Sequence, residues 1–557
     1  MGCGFSTQSS DSHADLENEA DMLLRRAMPT HMDNPHVQIS QARLLRNILS
    51  KEIIVPLFRQ YKARTPSWRK VNIHHLCDEV HENQIIVLAL LVLFRKGGTI
   101  IQFLENGVSD AKLPLMYTDD ACASDLHLHG QAHVRLECFG DSEWTIQMKK
   151  DICQMQWHLD VPCLGMGPDL VAKHFDFPVE KVLPWIKEAT DTRNHTDKTA
   201  IRQSGGYSQV QRVYIHPDYH DFRDILRKIG LLSSSSNYFA LKVLNPESDK
   251  ELDGMYRNEI QHLTNFNGTS SRHLVTLLTS FTHREKRHFL FPWATCDLFT
   301  YWDRQQSQPQ NLESVRWFSR QLLGLVDAVK TIHWPAHIQH AYGRHGDLKP
   351  DNILWYQQYE NDPRGILVVS DMGFTVIHRT YSRSKDCAAE VARAPDYHPP
   401  ELDTKDVDVS RKYDVWTLGC IFLEMLTWFL GESHDRNKFK LSRTEIDFKL
   451  RGPTYTFFQL VHSNDHQIEA KVKQSVLIVS SASVFSLVLE DADCCIKCME
   501  EIRRHSNRSQ LTDDIVNIIQ NRMIIINPSE RADMRSLHKD FTDLNDKCQS
   551  DSSYCFG

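Results

Sequence analysis

The chain has 557 residues and a formal net charge of −8, with 41% hydrophobic and 24% charged residues. That composition is typical of folded globular proteins, and the length predicts about three or four domains. The mildly acidic balance, without a long basic run, argues weakly against nucleic acid as the main partner, so nucleic acid is not an expected partner. The longest apolar runs, Ile85 to Phe94 and Ser475 to Leu489, are shorter than the roughly 20 residues that cross a bilayer, which predicts two buried helices.

The N-terminus has the pattern of a lipid attachment signal. Met1 to Ser6 fits M-G-x-x-x-[ST], in which Gly2 is myristoylated, and Cys3 beside it is a candidate for palmitoylation. This start is similar to that of G-protein α subunits. Because one acyl chain binds a membrane marginally and two bind it stably, we expect attachment to the cytoplasmic face of a membrane. The alternative is a disordered segment that happens to begin with Met and Gly.

Residues 1–30 also contain a predicted amphipathic helix, with apolar residues at helical spacing between Leu16 and Ala27. Residues 31–190 are predicted to form a mainly helical domain of unknown role. Its apolar pattern predicts helices over Ala42 to Phe58, Val71 to Phe94, Val171 to Phe177 and Val179 to Ala189, and an extended stretch over Val134 to Met148.

The composition becomes polar between Thr192 and Gly206, which predicts a linker. Beyond it the chain is first strand-like, with a serine-rich loop at residues 233–236, and is mainly helical from about Leu298. The candidate strands are Val210 to His216, Asn237 to Leu244, His273 to Phe281 and Arg287 to Ala294.

The fourteen cysteines of the chain predict free thiols in a reducing, cytoplasmic compartment. The densest group is Cys494, Cys495 and Cys498. It lacks a second CxxC pair, so we interpret it as part of a helix and not as a zinc site.

The segment HGDLKPDNIL, from His345 to Leu354, carries charged and amide side chains at a fixed spacing. It resembles the catalytic loop of the protein kinase family, and chance alone would rarely produce a match at so many fixed positions. The resemblance implies that Asp347 orients the attacking hydroxyl, that Lys349 neutralises charge on the transferred phosphoryl group, and that Asn352 helps to hold Mg²⁺. A lysine two residues after the aspartate is typical of serine/threonine kinases.

A second motif of the family follows. VVSDMGF, from Val368 to Phe374, resembles the strand and Asp-Phe-Gly turn, with Asp371 as a magnesium ligand. Met372 stands in place of the phenylalanine, and its flexible apolar side chain suits the same packing role. The gap from Asn352 to Asp371 is longer than usual and predicts a small insertion around Gln357 to Arg364.

The residues that the resemblance assigns to ATP lie mostly upstream. Lys242, two residues after Ala240, matches the strand lysine that holds the α- and β-phosphates. Glu259 is its expected helix partner and is preferred to Glu251, because an apolar face follows it one turn later. Leu354 is also assigned to the ATP site.

The glycine-rich loop is the least regular of the motifs. In SGGYSQV, Gly205, Gly206 and Val210 match the family pattern, whereas Gln203 and Ser208 occupy the outer glycine positions. Backbone N–H groups of such a loop still suit phosphates, with weaker nucleotide binding as the expected cost. An ordinary Gly-Gly turn in a linker is the alternative.

Other matching residues are structural. RAPDYHPPE, from Arg393 to Glu401, resembles the end of the activation segment, and Glu401 is expected to pair with Arg531. Asp414, at the start of DVWTLGCIFLEML, matches the helix aspartate that braces the catalytic loop, and His345 is the structural histidine of that loop.

Two departures from the family pattern concern control. Gly346 replaces an arginine that in many kinases binds an activation-loop phosphate, so ordering through that contact is not expected. Ala394 stands where serine/threonine kinases usually have a threonine that contacts the catalytic aspartate and lysine. The absence of this threonine leaves the substrate class open.

The resemblance covers roughly Ser204 to Leu544. It implies a two-lobed kinase domain at residues 196–545, with a β-rich N-lobe at about 196–293 and an α-rich C-lobe at about 294–545. The predicted class is therefore α+β, with a mainly α-helical domain ahead of the kinase fold. This layout is similar to that of kinase-domain proteins of filamentous fungi.

The implied activity is transfer of the ATP γ-phosphoryl group to Ser or Thr hydroxyls of protein substrates, with ATP and Mg²⁺ as cofactors. One alternative is a pseudokinase scaffold that binds nucleotide or partners without turnover, which the irregular glycine loop and Ala394 favour. Another is a kinase that acts on a small-molecule hydroxyl, which the complete activation segment disfavours.

Overall fold

The computed structural model of the chain has a helical N-terminal region, a six-stranded sheet, and a larger helical region after the sheet. The predicted α+β class, with a sheet-rich lobe followed by a helix-rich one, is confirmed. The structure describes all residues except 1–14, 33–37, 121–122, 132–135, 141–143, 187–202, 206–207, 232–236, 245–248, 306–310, 336–341, 361, 379–395, 405–408, 432, 448–451, 463–467, 474–475, 477–501, 503–504, 506 and 557.

Short helices around one apolar core form the N-terminal region. They are α1 (Leu16–Ala27), α2 (Ala42–Ile48), α3 (Lys51–Arg64), α4 (Ile73–Asn83), α5 (Ile85–Leu93), α6 (Ile100–Glu105) and α7 (Ile146–Leu159), with the antiparallel hairpin β1 (Leu115–Asp120) and β2 (Ala123–Leu128) between α6 and α7. All of α5 is buried, which confirms the predicted core helix. Helix α1 confirms the predicted amphipathic helix.

The carboxylate of Asp110 caps the buried helix α5. Its Oδ1 accepts hydrogen bonds from the backbone N–H groups of Ile86 and Val87, both at 3.1 Å. These N–H groups lie in the first turn, where a helix provides no acceptor of its own. Burial raises the pKa of Asp110 to about 6, although the hydrogen bonds act in the opposite direction.

Three predictions for this region are wrong. Val171 to Phe177 contains the strand β3 (Lys173–Asp176), not a helix. The described part of the segment from Val179 is not helical either, and Trp185 makes a single β-bridge there. Val134 to Met148 has no strand in its described part and leads into α7. Short apolar runs fit both periodicities, and for Val171 to Phe177 pairing with β7 decided the outcome.

The sheet has the strand order β3-β7-β8-β6-β5-β4. Its remaining strands are β4 (Gln203–Gly205), β5 (Ser208–Tyr214), β6 (Tyr238–Leu244), β7 (Thr279–His283) and β8 (Lys286–Pro292). Neighbours are antiparallel except for β3, which runs parallel to β7. The sheet therefore takes one strand from the predicted helical domain and another from the predicted linker. The strand predicted from His273 to Phe281 begins only at Thr279, and the residues before it, 273–278, are not in a strand.

The N-terminal region is attached to this sheet. The hydroxyl of Tyr219 donates a hydrogen bond to the carbonyl of Ile39 at 3.0 Å, and the Leu164 N–H donates to the carbonyl of Tyr219 at 2.9 Å. Buried side chains from both sides, including Trp185 and Phe281, share one apolar cluster. Residues 161–186 thus belong structurally with the sheet and not with the helical bundle.

Helices α8 (Arg223–Lys228) and α9 (Asp249–Asn265) flank β6 in the chain. The region after the sheet contains helices α10 (Leu298–Arg304), α11 (Leu312–His333), α12 (Lys412–Leu430), α13 (Ser433–Ser442), α14 (Gln510–Ile518), α15 (Met534–Ser550) and α16 (Ser552–Cys555). Its short strands are β9 (Cys296–Asp297), β10 (Tyr342–Arg344), β11 (Ile353–Tyr356), β12 (Ile366–Val369), β13 (Val376–His378), β14 (Glu445–Asp447), β15 (Gly452–Thr454), β16 (Phe458–His462) and β17 (Ile468–Val472).

Helix α12 forms the centre of this helical region. Among the described residues it is the one helix long and apolar enough to cross a membrane. Its most apolar 18-residue stretch has a mean hydropathy of 1.2, but 94% of that stretch is buried inside the protein. It packs in the same apolar cluster as α11 and α15. We therefore interpret it as a core helix.

The predicted insertion between β11 and β12 is a short loop in which Tyr359 and Asp362 form a β-bridge. The Glu360 N–H donates to the carbonyl of Gly230 at 2.8 Å, so this loop contacts the loop after α8. Several predicted features lie outside the described residues: Gly2, Cys3, the serines at 233–236, Ala394, most of Ser475 to Leu489, and Cys494, Cys495 and Cys498.

The raised pKa of Asp110 predicts a pH-dependent cost of folding. An acid whose pKa rises from 3.8 to about 6 on folding contributes stability at low pH that is lost as the pH rises through 6. Asp110→Asn removes this titration but keeps an acceptor oxygen. Relative to wild type, the variant should gain about 2 to 3 kcal/mol in free energy of unfolding from about pH 4 to about pH 7. Urea denaturation at both pH values measures this difference, and an equal difference at both would contradict the prediction.

Candidate active site

A cleft of about 430 Å³ separates the sheet from the helical region. Strands β5, β6 and β8 form one wall, and the segments around β11 and β12 form the other. The lining residues include Val210, Ala240, Lys242, Glu259, Phe291, Trp293, Asp297, Lys349, Asn352, Leu354 and Asp371. The structure thus brings together most of the residues that the sequence assigns to ATP and to Mg²⁺.

Three titratable side chains meet in this cleft. The ammonium of Lys242 lies 2.7 Å from Oε1 of Glu259 and 2.9 Å from Oδ1 of Asp371. Burial by itself would lower the pKa of Lys242, but the charges of Asp371 and Glu259 outweigh it and raise the pKa. The charge of Lys242 in turn lowers the pKa of Asp371, whereas burial raises that of Glu259. Lys242 is therefore held in its charged form, and its helix partner is Glu259.

Each of these side chains comes from a different element. Lys242 lies inside β6, where its backbone pairs with Val210 of β5 on one side and Phe289 of β8 on the other. Glu259 lies on the buried face of α9. Asp371 follows β12 with a left-handed backbone, φ 61° and ψ 76°. This conformation is unfavourable for a residue with a Cβ and occurs most often at functional sites.

The predicted catalytic loop is closed by its own side chains. Lys349 Nζ lies 2.7 Å from Oδ2 of Asp347. The amide nitrogen of Asn352 donates to the same oxygen at 2.9 Å and to the Asp347 carbonyl at 2.8 Å. These two hydrogen bonds use the side-chain amide nitrogen of Asn352, and its side-chain amide oxygen is the other polar atom of that group.

Buried Asp414, at the start of α12, holds the backbone of this loop. Its carboxylate accepts hydrogen bonds from the N–H groups of His345 at 2.8 Å and Gly346 at 2.9 Å, and from Nε2 of His333 at 2.8 Å. Burial would raise the pKa of Asp414, but the hydrogen bond from His333 and those from the loop outweigh it and lower the pKa. The sequence reasoning missed His333, which belongs to no motif and is recognisable only from this contact.

His345 links the loop to the Asp371 turn, because its Nε2 lies 3.0 Å from the carbonyl of Ser370. Gly346 has a φ of +82°, in the left-handed region that glycine adopts without strain. The arginine that the family carries there would occupy a strained backbone. Met372 is fully buried, as its expected packing role requires.

Glu401 and Arg531 form a buried ion pair beneath the site. The guanidinium donates to Oε1 of Glu401 at 2.8 Å and to Oε2 at 2.7 Å, and it lies 5.0 Å from the ring of Trp416. Bidentate geometry of this kind is the strongest form of a carboxylate to arginine contact.

The glycine-rich segment is only partly described. Gly205 ends β4 and pairs with Ser208 of β5. Gly206 is outside the described residues. The sequence reasoning also missed Phe291, Trp293 and Thr300, which line the cleft where β8 leads into α10. The strand was recognised, but only the sheet register shows which of its side chains face the cleft.

Asn352 and Asp371 are suited to Mg²⁺. Carboxylate and amide oxygens are ligands that this ion accepts, and it commonly binds through one or two protein groups together with phosphate oxygens and water. Both residues line the same cleft. No cluster of three His, Cys, Asp or Glu side chains that would hold a metal without such help occurs among the described residues.

Comparison with known proteins agrees with this geometry. The family model described as protein kinase domain matches residues 229–540, which is more than half of the chain. The chain belongs to the protein kinase family. The match begins downstream of β3, β4 and β5, and strand pairing places all three in the same sheet as β6, β7 and β8.

Curated relatives include the dual specificity tyrosine-phosphorylation-regulated kinase 3 of Rattus norvegicus, 28% identical over 247 residues, or 40% of this chain and 37% of that protein. The serine/threonine-protein kinase MPS1 of Encephalitozoon cuniculi is 29% identical over 212 residues, 36% of this chain and 32% of that protein. Human cyclin-dependent kinase-like 4 is 28% identical over 156 residues, 28% of this chain and 35% of that protein. The match thus spans about a third of the length of these relatives.

The Glu401 to Arg531 pair predicts a large stability effect. Arg531→Met leaves a buried carboxylate without its counter-ion, and this should lower the free energy of unfolding by about 3 to 5 kcal/mol. Combining it with Glu401→Gln removes the uncompensated charge and should recover part of the loss. Thermal unfolding of both variants and wild type measures the effect. A loss below about 1 kcal/mol for Arg531→Met would contradict this assignment.

Proposed function

We propose that the protein is a serine/threonine protein kinase that transfers the γ-phosphoryl group of ATP to hydroxyls of protein substrates. The observation that carries the proposal is the convergence of two networks on one cleft. Lys242, Glu259 and Asp371 form the first, and Asp347, Lys349 and Asn352 form the second. Phosphoryl transfer requires little more than positioning and charge stabilisation, and the two networks provide both.

In this proposal, Lys242 binds the α- and β-phosphates and Glu259 holds the lysine in position. Asp347 accepts a hydrogen bond from the substrate hydroxyl and orients it toward the γ-phosphorus. Lys349, already 2.7 Å from Asp347, places positive charge beside the transferred group. Asn352 and Asp371 would hold Mg²⁺, which would supply further positive charge to the phosphates.

The serine/threonine preference rests on Lys349, at the position where that class of kinases carries a lysine. The relatives themselves differ, since one is named dual specificity and another serine/threonine-protein kinase. The small-molecule alternative has less support, because the Glu401 to Arg531 pair anchors the segment that would bind a protein substrate.

The rival proposal is a scaffold with little turnover. It is favoured by Gln203 and Ser208 at the outer glycine positions and by Ala394 in place of threonine. The pairing of Lys242 with Glu259 and Asp371 opposes it, because it brings together the groups that would hold ATP and metal.

Asp347→Asn tests the proposal, since it keeps the side-chain shape and removes the proton acceptor. Purified full-length wild type should label itself or a generic basic substrate from radiolabelled ATP with Mg²⁺ or Mn²⁺. The variant should lose about 10²- to 10⁴-fold in rate. Glu285→Gln is the matched control, because Glu285 is exposed in the turn between β7 and β8.

Two results would decide against parts of this proposal. Wild-type labelling no higher than that of Asp347→Asn would favour the scaffold. Labelling of serine, threonine and tyrosine with equal efficiency would leave the kinase activity standing but would remove the serine/threonine assignment.

We further propose that the N-terminus attaches the protein to a cytoplasmic membrane face through acyl chains on Gly2 and Cys3. The support is the sequence pattern of residues 1–6, followed by α1 with its exposed side chains Met22 and Leu23. Stable anchoring takes two acyl chains, so both residues are needed.

Fluorescent fusions of wild type, Gly2→Ala and Cys3→Ser test the attachment. We expect wild type in the membrane fraction and Gly2→Ala in the cytosol, because myristoylation requires that glycine. Cys3→Ser should fall between the two, because a single chain binds only reversibly. An unchanged distribution of Gly2→Ala would contradict the proposal.

A further inference from the structure

Strand β3 comes from the part of the chain upstream of the family match, yet it lies at the edge of the kinase sheet. Its residues pair in register with β7, from Lys173 opposite Thr279 to Asp176 opposite Thr282. The Thr279 hydroxyl donates to the Lys173 carbonyl at 2.7 Å, and the Phe177 N–H donates to the Thr282 carbonyl at 2.9 Å. The strand therefore covers the edge of β7 that lies beside α9.

Apolar contacts hold β3 in this position. The rings of Phe175 and Phe177 are stacked at 5.5 Å, and Phe177 contacts Phe281 of β7 at 5.6 Å. Trp185, further along the same segment, also contacts Phe281 at 6.1 Å. The edge strand is thus attached by side chains as well as by its backbone.

The side chain of His174 reaches from β3 to helix α9. Its Nδ1 lies 2.7 Å from the hydroxyl of Tyr256 and 3.0 Å from the hydroxyl of Ser280 on β7. On the opposite side of the ring, Nε2 lies 3.2 Å from Oδ1 of Asp176 and 3.3 Å from the hydroxyl of Thr282. The ring is therefore held at both nitrogens, and Tyr256 is its one contact on α9 among these.

Tyr256 lies one helical turn before Glu259 on the same face of α9. Residues three apart on a helix are neighbours on one side, so the position of Tyr256 limits the rotation of the helix about its axis. That rotation decides whether Glu259 reaches Lys242, 2.7 Å away. The Tyr256 ring also stacks on Phe289 of β8 at 5.3 Å. Leu263, one turn after Glu259 on the same face of α9, is also buried.

We propose that His174 is a positioning residue for the kinase reaction: through Tyr256 it fixes α9 in the rotation that pairs Glu259 with Lys242. The segment upstream of the kinase match then completes the active-site geometry from outside it. This inference rests on the proposed kinase function only for its effect on turnover, since the position of α9 is observable without catalysis.

Removing the contact should release α9 without unfolding the sheet, because the His174 side chain is 32% exposed. His174→Ala and Tyr256→Phe in the full-length chain should each lower kcat roughly two- to tenfold, as expected for one lost hydrogen bond. Tyr256→Phe also removes the hydrogen bond from the Tyr256 hydroxyl to Ser280 at 3.2 Å. The double variant should therefore be no worse than Tyr256→Phe, which already lacks the hydroxyl that His174 contacts. His174→Asn keeps a polar group near the position of Nδ1 and should restore most of the rate.

Hydrogen exchange of individual amides tests whether the effect is confined to α9, as a positioning role requires. Amides of α9, residues 249–265, should exchange faster in His174→Ala and Tyr256→Phe, while those of α12 should not change. Lys173→Ala is the matched control, because Lys173 lies on the same strand and its ammonium contacts the ring of Phe175, whereas His174 contacts Tyr256 of α9. It should exchange as wild type does.

Failure of this inference is distinguishable from failure of the proposed function. If α9 exchanges in His174→Ala and Tyr256→Phe no faster than in Lys173→Ala, the inference is overturned whether or not the wild type phosphorylates a substrate. Additive losses in the double variant would overturn it as well. If wild type proves inactive but α9 loosens in both variants and tightens again in His174→Asn, the positioning role stands and the kinase proposal falls.

Discussion

A buried ammonium group needs opposite charges around it, and the arrangement of the sheet-rich lobe follows from that requirement at Lys242. Taking such a charge out of water is expensive unless it is closely paired. Two carboxylates satisfy it, one from α9 and one from the turn after β12. The sheet, the helix and the second lobe therefore meet at one point. Any movement of α9 or of the Asp371 turn leaves a charge without its partner.

The helical lobe follows the same rule with a buried carboxylate. Asp414 is fully buried and accepts three hydrogen bonds, two of them from the backbone of the catalytic loop. The loop is thus held by its main chain, which leaves the side chains of Asp347 and Asn352 available for chemistry. Gly346 fits this arrangement, because its left-handed backbone costs glycine nothing.

The N-terminal region enters the kinase lobe at two places. Strand β3 pairs with the edge of β7, and the Tyr219 hydroxyl donates a hydrogen bond to the carbonyl of Ile39. An uncovered edge strand exposes backbone N–H and C=O groups. β3 pairs with those of β7 and is itself a short edge strand of four residues. The region predicted as a separate domain is in part a component of the kinase lobe.

The chemistry of the site is readable from the residues alone. Phosphoryl transfer needs particular charged and amide side chains at short fixed spacings, and HGDLKPDNIL and VVSDMGF retain them within single stretches of chain. Local periodicity is also sufficient for α1, α5 and α12, whose apolar residues repeat within a single element. The fold class follows from the change of pattern along the chain.

Tertiary packing, by contrast, decides which distant segments meet. Val171 to Phe177 contains a strand because β7 offered it an unpaired edge, and Gln203 to Gly205 forms one because β5 did. His333 contacts Asp414 and Tyr256 contacts His174, at separations of 81 and 82 positions in the chain. A local pattern carries no information about partners at such separations, because strand pairing and side-chain contacts between elements are settled by packing of the whole domain.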